Sequence, residues 1–365
     1  MKILKLIPVA LFTLVFASCT KTEKFAVNVH LANADGKEIY LCKVVDGKQI
    51  IIDSATIYDS EAIFRPEVGA DYLMYGINCK GWRRPYMFFA DNKDVVIVGD
   101  YLKYYDLQIT ASQSQVRLDE FEKNYNAYDQ KLDDIYEAIG KATDEKAKEN
   151  LEAKYEKVKD DQNYYLFDQV WVNNADFVSH YILYRYKWAM QPCELRNVRA
   201  NFDKNVYSPY LDLLDAYIAK LDKIEEGMPF IDFSLPDLEG NEVKLSDLVG
   251  KSELLMIDFW ASWCPDCRKE NPSVVNTYIN FHNLGFDVMS VSLDTDKDNW
   301  QAAIVADKLI WENHVSDLKG WSNAAADIYA VVAIPSNVLL DRNGTIVAKN
   351  LSGTDLYQFV ESRLK

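Results

Sequence analysis

The stretch that most constrains this chain is a short apolar run that leads directly into two cysteines. Residues 254–260 read LLMIDFW, and Cys264 and Cys267 follow with two residues between them. An apolar run of this length predicts a strand covered on both faces and is too short for a membrane span. Pro265 suits the first turn of a helix, where its missing N–H costs no hydrogen bond. The pattern therefore predicts a buried strand, a tight turn and a helix that begins at the cysteines.

The predicted helix start gives Cys264 a reactive environment. Free backbone N–H groups and the positive end of the helix dipole would face its sulfur, and this favours the thiolate, the reactive form of cysteine. Cys267, one turn further on, is placed to attack a mixed disulfide formed at Cys264. We therefore expect redox chemistry, with Cys264 as the nucleophile and Cys267 as the resolving thiol.

Two other interpretations of the cysteine pair compete with this one. A single C-x-x-C could supply half of a zinc site, but zinc needs four nitrogen or sulfur ligands. No second C-x-x-C exists, and the four histidines are scattered at His30, His180, His282 and His314. We therefore predict no metal site. The pair could also be a closed structural disulfide, an alternative that the spacing alone leaves open.

The residues around the cysteines resemble a known family. Residues 258–272, DFWASWCPDCRKENP, are similar to the active-site segment of the thioredoxin superfamily. The Arg-Lys-Glu-x-Pro order after the second cysteine resembles the extracytoplasmic TlpA/ResA-like thiol–disulfide oxidoreductases, and residues 227–237 and 240–248 resemble their opening hairpin. The resemblance covers about residues 226–365. It implies an α/β thioredoxin-like fold, protein thiols and disulfides as partners, and no cofactor.

Two acids join the predicted catalytic set. Strand residues two apart share a face, so Asp258 points the same way as Trp260, and a carboxylate there is costly to bury unless it is hydrogen-bonded or protonated. Asp258 matches the buried acid of thioredoxin, which implies proton transfer to and from Cys267. Glu270 matches a glutamate of the ResA-like group that is tied to acid–base function. The alternative for Glu270 is a solvated helix charge.

A proline segment completes the predicted site. Pro335 precedes a predicted strand, as the cis-proline of the family does, and a cis Ile334–Pro335 bond would bring its backbone beside Cys264. That backbone could pair with an extended substrate segment. Ser336 stands where the family usually has threonine. Ile334 and Pro335, together with Trp263, are the predicted substrate-binding residues.

The N-terminus has the pattern of a targeting segment. Lys2 and Lys5 precede an apolar run at 6–16, and the small pair at 17–18 stands directly before Cys19. This resembles a bacterial lipoprotein signal with Cys19 as the lipidated residue; an ordinary signal peptide is the alternative. No later stretch approaches the roughly 20 apolar residues of a spanning helix. We therefore expect a periplasm-facing protein of the cell envelope, attached to the membrane through lipid at Cys19.

Charge and the remaining cysteines bound the function further. The chain has 56 acidic and 40 basic side chains, a net charge of −16, which argues against nucleic acid as a partner. Cys42 and Cys79 lie in strand-like segments, and either a disulfide between them or two buried thiols is consistent with the sequence. Cys193 stands apart from both.

The pattern changes along the chain predict four segments. They are a signal peptide at 1–18, a β-rich domain at 19–110, a helical region at 111–225 and a thioredoxin-like domain at 226–365. Alternation with period two and turn pairs such as 46–47 predict an antiparallel sheet or sandwich in the second segment. In the third, a charged helix is expected to start at Thr143 and to end near residue 161.

Three functions are consistent with these motifs. A reductase of protein disulfides fits best, and a peroxiredoxin-type peroxidase or a non-catalytic envelope binding protein are the alternatives. Asp266, between the cysteines, would compete for the helix dipole and N–H groups that stabilise the Cys264 thiolate. Destabilising the reduced form makes a couple more reducing. We therefore expect a protein that donates electrons and is re-reduced by a membrane partner.

Overall fold

The computed structural model describes residues 24–45, 48–67, 74–110 and 112–365. The predicted signal peptide, the predicted lipidation site Cys19 and the predicted turn at 46–47 lie outside these residues. The chain divides into two compact units, one ending at Glu122 and one beginning at Lys123. Within the described ranges, none of the helices is long and apolar enough to cross a bilayer.

The N-terminal unit contains two four-stranded sheets. The strands are β1 (Val27–Ala32), β2 (Glu38–Val45), β3 (Lys48–Thr56), β4 (Glu61–Phe64), β5 (Tyr75–Cys79), β6 (Tyr86–Phe88), β7 (Val95–Asp100) and β8 (Gln108–Ile109). Their orders are β4-β1-β7-β8 and β3-β2-β5-β6. The pairs are antiparallel, as predicted, except that β1 and β7 run parallel. Alternate residues of β1 are buried, which is the pattern of a strand with one face on a core.

The register of β2 and β5 decides how Cys42 and Cys79 relate. Cys42 lies opposite Gly76, and Cys79 lies opposite Ile39. The two cysteines are therefore three ladder positions apart, a separation of about 10 Å at the strand rise, and an odd offset puts them on opposite faces. A disulfide needs Cα atoms within about 7 Å. Both are accordingly free, buried thiols.

Five long helices follow. They are α1 (Gln113–Lys141), α2 (Glu145–Val172), α3 (Phe177–Tyr186), α4 (Pro192–Asn201) and α5 (Pro209–Leu221). The prediction for α2 was wrong at both ends. Asp144 is the N-cap, since its side chain accepts a hydrogen bond from the Ala147 N–H, and the helix continues past residue 161. Buried Gln162 donates to Asp129 at 2.6 Å, and this tertiary contact outweighs the polar sequence at that point.

The C-terminal part has the thioredoxin-like order. It contains the hairpin β9 (Ser234–Pro236) and β10 (Glu242–Lys244), then β11 (Leu254–Trp260), α6 (Pro265–Phe281), β12 (Phe286–Ser292), α7 (Lys297–Asp307), β13 (Asn313–Val315), α8 (Ala324–Ile328), β14 (Ser336–Asp341), β15 (Ile346–Lys349) and α9 (Gly353–Leu364). The five-stranded sheet runs β13-β12-β11-β14-β15. Strand β11 is central, parallel to β12 and antiparallel to β14, and all seven of its residues are buried. The α/β fold with a preceding β region and helices is thus the predicted one.

The turn between β14 and β15 depends on a single glycine. The strands are antiparallel, and Gly344 between them has a φ of +78°. A Cβ at Gly344 would lie 2.5 Å from the Phe230 ring. Glycine is therefore required both by the backbone conformation and by the close packing.

Candidate active site

Cys264 and Cys267 form a disulfide at the start of α6. Cys264 is the N-cap residue, Pro265 takes the first helical position, and the Cys267 N–H points at Cys264 Sγ at 3.1 Å. Both residues are largely buried, with 5 % of Cys264 and 1 % of Cys267 exposed. Cys264 is therefore the sulfur nearer to solvent, and a negative charge on it would lie at the positive end of the helix.

Asp258 lies in the middle of β11 and is 5 % exposed. Its carboxylate accepts one hydrogen bond, from Ser290 Oγ at 2.9 Å, and that hydroxyl in turn accepts from Trp311 Nε1 at 3.0 Å. Burial raises the pKa of Asp258 to about 7; the Ser290 bond lowers it, and the charge of Glu270 adds to the rise. An acid with this pKa exchanges a proton near neutral pH.

Glu270 lies on α6 and is anchored to another helix. Its Oε1 accepts a hydrogen bond from the Gly353 N–H at 2.7 Å, where α9 begins. The helix dipole also favours a carboxylate at this point. Glu270 is thus half-buried between two helices, which corrects the alternative of a freely solvated charge.

The proline segment lies against the disulfide. The Ile334–Pro335 bond is cis, and the Ile334 carbonyl oxygen is 3.8 Å from Cys264 Sγ. Beside it, Ser336 Oγ donates to Asn350 Oδ1 at 2.8 Å. The backbone before Pro335 therefore lies beside Cys264 Sγ, the position predicted from the sequence.

Trp263 lies on the outer side of the turn. Its indole N–H donates to the Leu293 carbonyl at 3.2 Å, while 49 % of the side chain is exposed. Trp321 lies beside it with a ring-centroid distance of 6.1 Å and is 52 % exposed. The two indoles form an exposed aromatic surface next to the disulfide.

Asp294, which the sequence reasoning missed, holds the turn before the cysteines. Its carboxylate accepts from the Ser262 N–H at 3.0 Å, from Ser262 Oγ at 2.5 Å and from Ser292 Oγ at 2.7 Å. It is 1 % exposed. The sequence did contain one signal for this role. Asp294 comes two residues after β12, and because β12 is parallel to β11, both strands end at the edge of the sheet where the cysteines lie.

Arg268 ties the same turn to α7. Its guanidinium donates to the Ser262 carbonyl at 3.2 Å and makes a two-pronged ion pair with Asp307, one arm at 2.6 Å. Asn271 also donates to Asp307, at 2.7 Å. The Asp307 partner raises the pKa of Arg268 further above its usual range, so the pair stays charged. These contacts fix the start of α6 relative to the turn.

The helices before the thioredoxin-like domain also reach this site, although the sequence indicated no functional set among them. Lys269 Nζ lies 4.8 Å from the ring centroid of Tyr136 on α1. The pKa of Tyr155 on α2 is raised by burial and then by the nearby charge of Asp266. Contacts between residues so distant in the chain leave no local pattern in the sequence.

Comparisons with known proteins find a family and several relatives that match the C-terminal part of the chain. Residues 227–349 match the family described as AhpC/TSA family. The thiol-disulfide oxidoreductase ResA of Geobacillus thermodenitrificans (strain NG80-2) is 31% identical over 135 residues, which is 36% of this chain and 74% of that protein. ResA of Bacillus cereus (strain ATCC 10987 / NRS 248) is 27% identical over 153 residues, 42% of this chain and 84% of that protein.

A solved structure also matches. The thioredoxin domain of a thiol-disulfide oxidoreductase from Bacteroides vulgatus is 37% identical, and the match covers 39% of this chain and 99% of that one with a TM-score of 0.36. All these matches fall on the C-terminal part, where the disulfide, Asp258 and the cis-proline lie.

Proposed function

Because the chain belongs to the family of ResA-type thiol–disulfide oxidoreductases, we propose that it works as a reductase of disulfides in other exported proteins. The observation that carries this proposal is the disulfide at the start of α6, with the Ile334 carbonyl 3.8 Å from Cys264 Sγ and a buried acid in the strand that leads to it. A nucleophile, a substrate-contacting backbone and a proton acceptor are the parts that disulfide exchange needs.

The first step is attack by Cys264. In the reduced protein its thiolate attacks one sulfur of the substrate disulfide, the substrate S–S bond breaks, and a mixed disulfide forms with Cys264. The released substrate sulfur takes up a proton. The N–H of Cys267, which points at Cys264 Sγ, supports Cys264 as the sulfur that carries the negative charge.

The second step is release by Cys267. We assign Asp258 as the base that takes the proton from Cys267. Glu270 is a second acid, and its negative charge adds to the rise that burial causes in the pKa of Asp258, so Asp258 holds the proton until the leaving substrate sulfur takes it up. The Cys267 sulfur then attacks Cys264, the mixed disulfide breaks, and the second substrate sulfur leaves as a thiol. Two electrons have passed to the substrate, and the Cys264–Cys267 disulfide remains.

Trp263, Ile334 and Pro335 are the proposed substrate-binding residues. The exposed face of Trp263 offers an apolar contact, and the N–H groups of Val332 and Ala333 donate to none of the described residues. An extended substrate segment can therefore pair with this backbone without displacing an internal hydrogen bond.

The setting of the reaction is proposed from the sequence. A signal peptide at 1–18 and lipid on Cys19 would hold the protein at the periplasmic side of a membrane, where a membrane-bound dithiol donor re-reduces the Cys264–Cys267 disulfide. The β-rich domain at 19–110 and the helical region at 111–225 would precede the thioredoxin-like domain at 226–365. Incorporation of labelled palmitate that is lost in Cys19→Ser tests the anchor.

The reductase assay uses the reduced protein and a disulfide-bonded protein substrate in equal amounts. We expect one substrate disulfide to be opened for each Cys264–Cys267 disulfide that forms. Cys264→Ala is the control and should open none. For this test the wild-type protein is first reduced by a donor whose potential is as low as that of thioredoxin. If it then leaves the substrate disulfide intact, the proposal is contradicted.

Two alternatives have direct tests. A thiol peroxidase would consume hydrogen peroxide with turnover in the presence of a dithiol, whereas a peroxidatic Pro-x-x-x-Thr-x-x-Cys pattern is absent from this site. A non-catalytic envelope binding protein would show no titrating nucleophile after reduction. Alkylation of Cys264 across a range of pH distinguishes that case from a reactive thiolate.

A further inference from the structure

A cleft of about 440 Å³ lies directly beside the cis-proline loop. One wall consists of residues from the segment 329–338 of the thioredoxin-like domain. The other consists of residues from the segment 187–192 and of Tyr217 and Leu221, which belong to the helices before that domain. The helical part of the chain therefore builds half of a cleft that begins at the proposed reaction site.

The cleft is continuous with the nucleophile. Ala333 and Pro335 line it, and the Ile334 carbonyl between them is 3.8 Å from Cys264 Sγ. A molecule bound to this loop with a sulfur at Cys264 would therefore extend into the cleft. The N–H groups of Val332 and Ala333, which donate to none of the described residues, favour a polypeptide in extended conformation as that molecule.

The charges in the cleft select the kind of polypeptide. Lys349, at the end of β15, is half-buried and makes no ion pair with any residue of the described ranges. Burial lowers its pKa, Glu225 and Glu226 counter this, and Arg196 adds to the lowering. Glu225 is itself engaged by Arg196. A partly desolvated ammonium group that makes no direct ion pair with a described residue is costly, and a carboxylate from a bound molecule would relieve that cost.

Lys187 adds a second positive charge to the same cleft. Its Nζ lies 4.3 Å from the ring centroid of Tyr184 and 5.4 Å from that of Tyr217, and it donates to the Tyr184 carbonyl. Against these two lysines the lining holds one carboxylate, the exposed Glu226. A net positive cleft in a chain of net charge −16 is a local departure that attracts acidic ligands.

We propose that this cleft binds the acidic flank of an extended, disulfide-bearing polypeptide, with Lys349 as the residue that determines this specificity. The inference rests on the proposed function, since the polypeptide is the substrate whose disulfide Cys264 attacks. The apolar parts of Trp188 and Met190 would cover the neighbouring side chains of the same segment. The helical part would thus supply one wall of the selecting cleft, and Lys349 of the thioredoxin-like part would supply its charge.

Binding can be measured without any chemistry. The probes are two twelve-residue peptides with serine in place of the reactive cysteine, one with glutamates at four flanking positions and one with glutamines. The proteins are the full chain, Lys349→Met, Lys349→Arg and a matched control, Lys251→Met, which removes an exposed lysine that is not among the lining residues. Titration calorimetry at low salt gives the dissociation constants.

We expect the wild type, Lys349→Arg and Lys251→Met to bind the acidic peptide at least tenfold more tightly than the neutral one. Lys349→Met should lose most of that preference and keep its affinity for the neutral peptide. Equal affinities for both peptides in the wild type, or equal losses in Lys349→Met and Lys251→Met, would overturn the inference.

A parallel assay with cysteine disulfide forms of both peptides separates this inference from the proposed function. Reduction of both peptides at the same rate by the wild type would leave the reductase proposal intact and overturn the specificity. An acidic preference in binding with no reduction of either peptide would support the cleft and contradict the reductase.

Discussion

Two pairs of cysteines in this chain are buried to almost the same extent and differ in what surrounds them. Cys42 and Cys79 are 0 % and 2 % exposed in the N-terminal unit, and Cys264 and Cys267 are 5 % and 1 % exposed in the thioredoxin-like part. The first two lie in strands whose backbone groups are engaged in the ladder. The other two lie at a helix start, where the Cys267 N–H has no backbone acceptor among the described residues and points at Cys264 Sγ instead.

The difference teaches that burial alone does not decide the chemistry of a cysteine. Burial raises the pKa of Cys79 to about 12 and also raises that of Cys42, where the hydrogen bond to Gly76 counters the rise only in part. At Cys264 the Cys267 N–H and the helix dipole face the sulfur. The second site also has the buried carboxyl of Asp258, which we propose as its proton acceptor.

The largest expected effect comes from removing the cysteines of the second pair one at a time. Cys264→Ala should abolish disulfide reduction, whereas Cys267→Ala should accumulate mixed disulfides with substrate, because attack survives and release does not. Non-reducing electrophoresis after incubation with a disulfide protein detects the trapped species. Equal trapping by both variants would break the assignment of roles.

The next largest effect tests whether the buried acid Asp258 is needed for the chemistry of Cys264 and Cys267. Asp258→Asn should slow release of the mixed disulfide by roughly a hundredfold, since it removes the base for Cys267. Glu270→Gln should slow it by roughly tenfold or less, because Glu270 acts through its charge and is held by Gly353. Single-turnover release rates across pH compare the two. A larger loss for Glu270→Gln would reverse the ranking.

A stability measurement sharpens the same point. The folded pKa of Asp258, about 7, lies above its ordinary value of 3.8, so folding favours the protonated carboxyl. Its contribution to the free energy of unfolding is therefore most favourable below about pH 4 and is lost as pH rises through 7. Asp258→Asn should stabilise the oxidised protein by about 2–4 kcal/mol at pH 8 and by little at pH 4. Urea unfolding at both pH values measures this, and an equal effect at both would contradict it.

The sequence predicted the parts of this site that depend on neighbours in the chain. The buried β11 and the helix that begins at Pro265 follow from the apolar run and from the proline between the cysteines. The positions of Asp258 and Pro335 followed from the resemblance to a family. These features are local, and local patterns determine them.

The parts that the sequence did not predict depend on distant contacts. Arg268 and Asp307 are 39 positions apart, and the Lys349 cleft joins segments more than 100 positions apart. Likewise, α2 continues past residue 161 because Gln162 bonds Asp129 on another helix. Charged residues at such positions look like ordinary surface charges until the fold brings their partners together.

A smaller effect concerns the direction in which Cys264 and Cys267 transfer electrons. Asp266 lies exposed in the first turn of α6, where its carboxylate competes for the dipole that stabilises the Cys264 thiolate. Asp266→His should therefore stabilise the reduced form and raise the reduction potential, by roughly 30 mV for each tenfold change in the equilibrium with glutathione. An unchanged or lower potential would show that Asp266 does not set the direction.

The smallest expected effect on activity comes from replacing Cys42 or Cys79, the two cysteines of the N-terminal unit. Cys42→Ala and Cys79→Ala should leave disulfide reduction unchanged, because neither thiol is exposed or activated. In the folded wild type, an alkylating reagent at pH 8 should modify exposed Cys193 and should modify Cys42 and Cys79 only after denaturant is added. Mass spectrometry of digests gives the modified fraction at each site. Alkylation of Cys79 in the folded protein at the rate of Cys193 would mean that the strand environment does not protect a thiol. The contrast with Cys264 would then have to rest on the helix start alone, since protection by burial would no longer separate the two pairs.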